Sequence, residues 1–500
     1  MSANPQRRTR RTPEPRRRRR ARGVVALLFA ALAGLLLSFL APPGSAQAAS
    51  AAVTVTNGTQ FTDPNGEVVH AHGGGVIKVD GYYYWFGENR NEDNTFRYVS
   101  AYRSTDLKTW EFRNHVLTEK SDPELDRANI ERPKVIYNKA TGKYVMWMHK
   151  ENGSDYGEAR AAVAVSSTVD GDYAWQGSFR PLDHMSRDIT TFVDDDGTGY
   201  MISAANENAD LHVYRLSADY TKVDSLVRKL WEGQSREAPA MFKRDGRYFL
   251  LTSGATGWSP NQQKYSSADS ITGDWNELKD IGDGKTYGSQ TAYVLSVQGA
   301  SGTSYLYMGD RWGNSTGGNV NDSQYVWLPL DFPTGDTMTM DYYPQISVDA
   351  EAGKVSGTGT WETLTAEHSG KCADIADESL GDGAAAVQWS CAQGRLNQQF
   401  WLRDSGDGTV RAMLRHSGKC LDVRDASSDD GAAVVQSACG EAESQRWTVE
   451  DTTGDGVRLV ARHSGKCLDV QNRSGNDGAA LVQWTCASEA DNQRWRRAGA

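Results

Sequence analysis

The sequence predicts an all-β protein of two domains: an array of short strands that suits a propeller, then a threefold repeat that closes on itself. Three observations carry that reading. The unit His-Ser-Gly-Lys-Cys recurs at residues 368–372, 416–420 and 463–467, a period of about 47 residues. Ahead of it the apolar segments are short (82–86, 143–148, 247–252, 304–308 and 325–330), and no long stretch has helical periodicity. All six cysteines fall within the repeats, one pair per copy.

At the N-terminus, ten arginines precede Gly23, an apolar run covers 24–40, and Ala46-Gln47-Ala48 offers small residues for cleavage. Residues 1–48 therefore read as a signal peptide, with a retained membrane anchor as the alternative because the apolar run is long. Cleavage changes the electrostatics. The whole chain has a formal charge of −10; without those ten arginines and one glutamate it keeps 44 basic and 63 acidic residues, a charge of −19. Such a surface repels phosphate backbones, which excludes a nucleic-acid partner, and cleavage leaves no membrane partner.

Residues 50–345 are expected to form the strand array, enough chain for a large core without cysteine. Turn-rich segments at 79–81, 138–142 and 244–246 sit directly before aromatic-rich strands and read as hairpins. Many short strands at this spacing suit a propeller, whose radial repetition leaves only short protected edges, although the blade count does not follow from periodicity. In a propeller the inner strands converge, so acidic residues some 50 or 100 positions apart can share one pocket. Glu131, Asp188 and Glu237 each sit just before an apolar strand and are the candidates. A pair of carboxyl groups, one protonated and one ionised, suits glycosidic bond cleavage.

His70 and His72, ahead of Gly73-Gly74-Gly75, could line the pocket, hold a central ion or water, or simply pack. Asp194-Asp195-Asp196-Gly197 reads as a tight turn, since a full calcium-loop pattern is missing. There is no phosphate-binding loop and no Gly-x-Ser-x-Gly elbow. Residues 346–361, glycine-containing and poor in apolar residues, read as a linker.

The repeats occupy 362–500. Each copy places an aspartate (Asp374, Asp422, Asp469) two positions after its first cysteine and a second cysteine 19 positions after that first one, then ends on Gln-x-aromatic. A unit this short cannot bury its own apolar face, so the three must share a core, and similar copies without atypical ends favour closure over stacking. The simplest cysteine pairing is one local disulfide per copy, each worth about 3 kcal/mol of loop-closure entropy. Zinc ligands would lie only a few residues apart. Oxidised cysteines require an exported protein.

Residues 52–345 resemble glycoside hydrolase family 43, in its exo-β-1,3-galactanase branch. The resemblance is carried by His70-Ala71-His72-Gly73-Gly74-Gly75, Tyr84-Trp85-Phe86-Gly87-Glu88, Glu131-Arg132-Pro133, Arg187-Asp188, Glu237-Ala238-Pro239 and Ser289-Gln290. It implies a five-bladed β-propeller, inversion at the anomeric carbon and release of terminal galactose. It casts Glu237 as the general acid and Asp188 as the sugar-binding residue that modulates its pKa. Most of the family carries an aspartate base in the first blade, and no carboxylate stands at that place around His72. The galactanase branch instead uses a glutamate and a glutamine on the water side, which Glu131 and Gln290 resemble. A neutral amide is too weak a base to take a proton from water unless an imidic form participates, so Gln290 is expected to take that part or to position the water. Tyr156 and Asn208 are further candidates for holding the terminal sugar.

Residues 362–500 are similar to the ricin-type β-trefoil, carbohydrate-binding module family 13. That likeness implies sugar sites in the first lobe (Asp374, Trp389, Asn397, Gln398) and the third (Asp469, Trp484, Asn492, Gln493). In the second lobe Ser437 stands in place of the aromatic platform and Ser444 in place of the asparagine. Together the two resemblances imply a secreted, monomeric exo-β-1,3-galactanase acting on galactan or arabinogalactan-type polysaccharide, with no cofactor and no metal. The alternatives are an α-L-arabinofuranosidase or β-xylosidase of the same family, and a secreted lectin with an inactive propeller.

Overall fold

The computed structural model describes residues 52–452 and 456–499, so the signal-peptide reading of residues 1–48 lies outside the described residues. Five small antiparallel sheets follow one another along the chain. Blade 1 runs from His72–Val79 to Glu111–Thr118, blade 2 from Asn129–Asn138 to Ala174–Phe179, and blade 3 from Ile189–Val193 to Val223–Leu230. Blade 4 runs from Arg236–Arg244 to Lys279–Ile281, and blade 5 from Gln290–Gly299 to Gln324–Leu330. The first strand of each blade packs against the first strand of the next, and that of blade 5 returns to blade 1, which closes the ring. Among the described residues no helix is long and apolar enough to cross a membrane.

Period-two geometry explains why these strands look continuously apolar in sequence. In blade 1, Tyr83 and Trp85 point into the core shared with blade 5, while Tyr84 and Phe86 point into the core shared with blade 2. In blade 2, Met146 and Met148 face blade 1, whereas Val145 and Trp147 face blade 3. A blade between two neighbours is buried on both faces, so alternation is lost. The expected hairpins form: Asp80-Gly81 and Asp245-Gly246 have positive φ at both positions, the geometry of a type I′ turn. The Asp194–Gly197 segment is a turn closed by Gly197 N–H on the Asp194 carbonyl, and the Lys243 ammonium lies 2.8 Å from both Asp194 and Asp195.

The segment 346–361 is not a linker. Gln345–Asp349 and Lys354–Thr358 form a hairpin that pairs with the strand Val53–Thr56 near the start of the domain. Ile346 and Val348 are buried in the core between blades 5 and 1, and Trp361 in that between blades 4 and 5. Low apolar content misled because a short strand needs only alternate residues buried. Its partner, moreover, lies at the other end of the domain. The N-terminal stretch also closes the propeller: Gly58 and Thr59 bond to Tyr325 of blade 5, and Asn57 donates to the carbonyls of Trp327 (2.6 Å) and Tyr343 (2.8 Å) while accepting from Trp327 N–H (2.7 Å).

The repeats form a twelve-stranded sheet system around one core that includes Phe400, Trp447 and Trp495. Disulfides join Cys372–Cys391, Cys420–Cys439 and Cys467–Cys486. The His-Ser-Gly-Lys-Cys unit is the clasp between lobes. Its histidine donates from Nε2 to a serine carbonyl of the preceding lobe (His416 to Ser379, His463 to Ser427, His368 to Ser474). Its lysine pairs with an aspartate of that same lobe (Lys419–Asp382, Lys466–Asp430, Lys371–Asp477). The third lobe thus clasps the second and the first clasps the third, which is closure rather than stacking.

Asn57→Ala removes both partners of a buried backbone pair, so we expect it to lower unfolding free energy by about 2–4 kcal/mol. Activity per folded molecule should be unchanged; a urea midpoint equal to that of the parent would show that the closure does not depend on this side chain.

Candidate active site

Each blade delivers one polar side chain to the ring centre at the start of its inner strand: His72, Glu131, Asp188, Glu237 and Gln290. In four blades the strand register slips just afterwards, between His72 and Gly75, Glu131 and Lys134, Glu237 and Ala240, and Thr291 and Tyr293. Such bulges re-aim a side chain at the cost of ladder bonds. Gly73, Arg132 and Ala238 take left-handed backbone at these slips (φ 61°, 53° and 51°), costing the two non-glycine residues about 1–2 kcal/mol each. Their freed N–H groups are satisfied by carboxylates of the preceding blade: Gly73 by Asp310 (2.8 Å), Arg132 by Glu88 (2.9 Å) and Ala238 by Asp188 (3.0 Å). Glycine is required at 73, because a Cβ there would stand 2.4 Å from the Glu88 carboxylate.

The acidic candidates do converge. A pocket of about 270 Å³ is lined by Glu88, Glu131, Asp188, Glu237 and Gln290, with Tyr156, Asn208, Trp258 and Trp312 among its walls. Glu237 accepts from the Gln290 amide (3.0 Å) on one oxygen and from Asn208 (2.9 Å) on the other. Burial pushes its pKa up to about 8, helped by the Asp188 charge and opposed by Arg132. At neutral pH this carboxyl group holds its proton.

Glu131 is the opposite case. Arg90 (2.8 Å) and the Tyr156 hydroxyl (2.8 Å) donate to one oxygen, and His149 Nδ1 lies 3.1 Å from the other. Burial alone would raise its pKa, but His149 and Arg90 outweigh it and hold the carboxylate well below the usual range. His149 also reaches Glu151 (2.8 Å). Burial works against its charge, yet the two carboxylates lift the imidazole to about 9. The pocket therefore holds one carboxyl group kept neutral and one kept ionised.

Arg132 joins the parts. Its Nε lies 2.8 Å from Asp188, and its Nη2 donates to the Gln290 oxygen (2.6 Å), which also accepts from the Trp312 indole (2.8 Å). The Gln290 nitrogen donates to Glu237 and to Ser253 (2.9 Å). Beneath, the Lys134 ammonium donates to the carbonyls of Gly73 (2.6 Å) and Arg132 (3.3 Å), tying the bulges of blades 1 and 2 together.

His70 and His72 do not line the pocket. His72 bonds Asp310 (3.0 Å) and stacks on Tyr325 at 4.7 Å, so it packs the ring below the site. A first-blade carboxylate does exist: Glu88, directly across the strands from His72, engaged by Arg90 (2.7 Å) and by Arg132 N–H. Sequence reasoning also missed Arg90, Arg132 and His149 as charge partners. The adjacent Glu-Arg was the available signal for Arg132, whereas nothing local marks His149. Donor atoms of Glu131, His149 and Asp188 lie within 4.8 Å of one another, but arginines and a charged imidazole already engage them.

In the trefoil, Asp374 accepts from Asn397 (2.7 Å) and Gln398 (2.8 Å) beside the half-exposed Trp389. Asp469 accepts from Gln493 (2.9 Å) near the equally exposed Trp484, and Asn492 donates to the Val470 carbonyl. The second lobe keeps only Asp422 with Gln445 (3.0 Å).

Residues 69–289 match the family described as glycosyl hydrolases family 43, and residues 360–495 the ricin-type beta-trefoil lectin domain. An exo-β-1,3-galactanase from Clostridium thermocellum is 47% identical over 89% of this chain and 100% of its own, with a TM-score of 0.64. The chain belongs to glycoside hydrolase family 43. Within that family, a β-1,3-galactosidase solved with galactodeoxynojirimycin is 33% identical over 57% of this chain and 98% of its own (TM-score 0.53). An exo-β-1,3-galactanase from Phanerochaete chrysosporium solved with galactose is 26% identical over 90% of this chain and 93% of its own (TM-score 0.60). No curated protein matches the chain.

Carboxyl-selective ¹³C NMR should find Glu237 titrating near 8. Asp188→Asn removes a neighbouring negative charge and should move that midpoint downward; an unchanged midpoint would mean that burial alone sets it.

Proposed function

We propose that this family 43 enzyme is a secreted exo-β-1,3-galactanase that removes terminal galactose, with inversion, from galactan or arabinogalactan-type polysaccharide. The observation that carries the reading is the divided ionisation of one pocket: Glu237 neutral on one side, Glu131 ionised on the other. Likeness to the galactanases and the galactosidase supports the substrate, and the signal-peptide pattern with three disulfides supports export.

In this mechanism Glu237 donates its proton to the leaving oxygen. Asp188, fixed by Arg132 and by Ala238 N–H, holds a sugar hydroxyl and keeps the acid's pKa high. Glu131, with two hydrogen-bond donors and the His149 imidazolium already against it, is a poor nucleophile toward carbon. A remaining lone pair suits it to orient a water. Gln290 is locked as an amide: Arg132 and the indole of Trp312 can only donate, so the atom facing them must be a carbonyl oxygen. It therefore positions the acid and the water instead of taking a proton. Tyr156 and Asn208 complete the sugar contacts, the Asn208 oxygen being buried without a partner. An arabinofuranosidase or xylosidase would use a free first-blade carboxylate, and Glu88 is not free.

Linear β-1,3-galactan should yield galactose alone, released first as the α-anomer. Glu237→Gln should lower turnover at least about a hundredfold, with much smaller losses on substrates carrying acidic leaving groups. First-formed β-galactose would falsify the assignment of Glu131 and Gln290 to a water. Because the acid must be protonated and Glu131 ionises far lower, kcat/KM should fall as pH rises through about 8 and hold steady through the weakly acidic range.

The first and third trefoil lobes, on this reading, hold galactose-containing polymer and raise the local enzyme concentration. Trp389→Ala and Trp484→Ala should each weaken retention on galactan and together abolish most of it, leaving activity on short oligosaccharides intact. Asp422→Ala in the second lobe should change retention little; a large loss would assign that lobe a working site.

A further inference from the structure

Between the propeller and the first trefoil lobe lies a cleft of about 630 Å³, within the ordinary range for small-molecule sites of roughly 300–1,000 Å³. The propeller supplies one wall through residues 280–287 and 338–341; the trefoil supplies the other through 377–380, 394–397 and His416. Asn397 belongs both to this cleft and to the first lobe's sugar site. It is 3% exposed, and its nitrogen donates to Asp374 and to the Ile375 carbonyl, while its side-chain oxygen has no partner. A buried acceptor without a partner costs free energy until a donor arrives, and a sugar hydroxyl is such a donor.

The lining also fixes the class of ligand. Half-buried Leu380 and Leu396 offer apolar surface for a pyranose face. Of the five carboxylates that line the cleft, Glu378, Asp280 and Asp341 pair with Arg395, Lys264 and Arg415, which leaves Asp283 and Asp377 against Lys285. That balance rejects uronic acids and other anions. A metal ion fits no better, since among the described residues three donor atoms gather only at Glu131, His149 and Asp188.

We infer that this cleft is a saccharide subsite built jointly by the two domains. It takes further neutral galactose units of a chain whose terminal unit sits in the first lobe. The inference rests on the reading of that lobe as a sugar site.

The test uses full-length protein carrying Glu237→Gln to prevent hydrolysis and 5-fluorotryptophan for ¹⁹F NMR. The Trp389 signal, assigned through Trp389→Phe, reports first-lobe binding regardless of what the catalytic pocket takes up. β-1,3-Galactotriose should saturate that signal at concentrations at least about tenfold below galactose, and a triose bearing a glucuronate should lose the gain. Gly284 lines the cleft in open space with ordinary backbone, so Gly284→Trp can fill it without strain. This variant should bring the triose back to the affinity of galactose and leave galactose unchanged. Equal affinities for triose and galactose in the parent, or a gain that survives Gly284→Trp, overturn the subsite. A Trp389 signal that galactose does not move overturns the first-lobe reading itself, and the subsite with it.

Discussion

One buried guanidinium holds the catalytic face together. Arg132 sits at the bulge of blade 2, receives the blade 1 carboxylate Glu88 on its backbone N–H, meets Asp188 of blade 3 through Nε, and binds Gln290 and the Thr291 carbonyl of blade 5 through its terminal nitrogens. Its charge also pulls against the raised pKa of Glu237 in blade 4. A buried ion pair by itself is weak evidence for stability. Here each of its nitrogens meets an acceptor on another blade, so the side chain fixes the relative placement of elements that share few backbone bonds.

Around that tie the pocket separates two chemically similar groups. Glu237 and Glu131 are both glutamates at the start of an inner strand, and both are buried. What differs is the company: amides and the Asp188 charge for one, an arginine, a phenol and an imidazolium for the other. Their opposite protonation follows from neighbours in space, none of which is next to them in the chain.

The sequence made much of this legible. The clasp motif, the cysteine spacing and the turn dipeptides are local, and the lobes and hairpins they mark are present. The candidates Glu131, Asp188 and Glu237 were found because each precedes a recognisable apolar strand, whereas Gln290 was marked only by the family resemblance. What escaped depends on distant partners. His149 lies mid-chain on a second strand and gains meaning only from Glu131 and Glu151 on either side. Glu88 was visible in a motif, but its position opposite His72 needs the strand pairing. The supposed linker was a strand without a visible mate.

That mate has a bearing on how the molecule is made. Asn57 bonds to a carbonyl 286 residues further along the chain, and Val53–Thr56 pairs with a strand beyond the fifth blade. Contacts of such sequence separation form late and slowly. In vectorial synthesis the segment that emerges first from the mature domain is therefore the last to be seated. The ring stays open, with the fifth blade's edge unpaired, until nearly the whole propeller has left the ribosome.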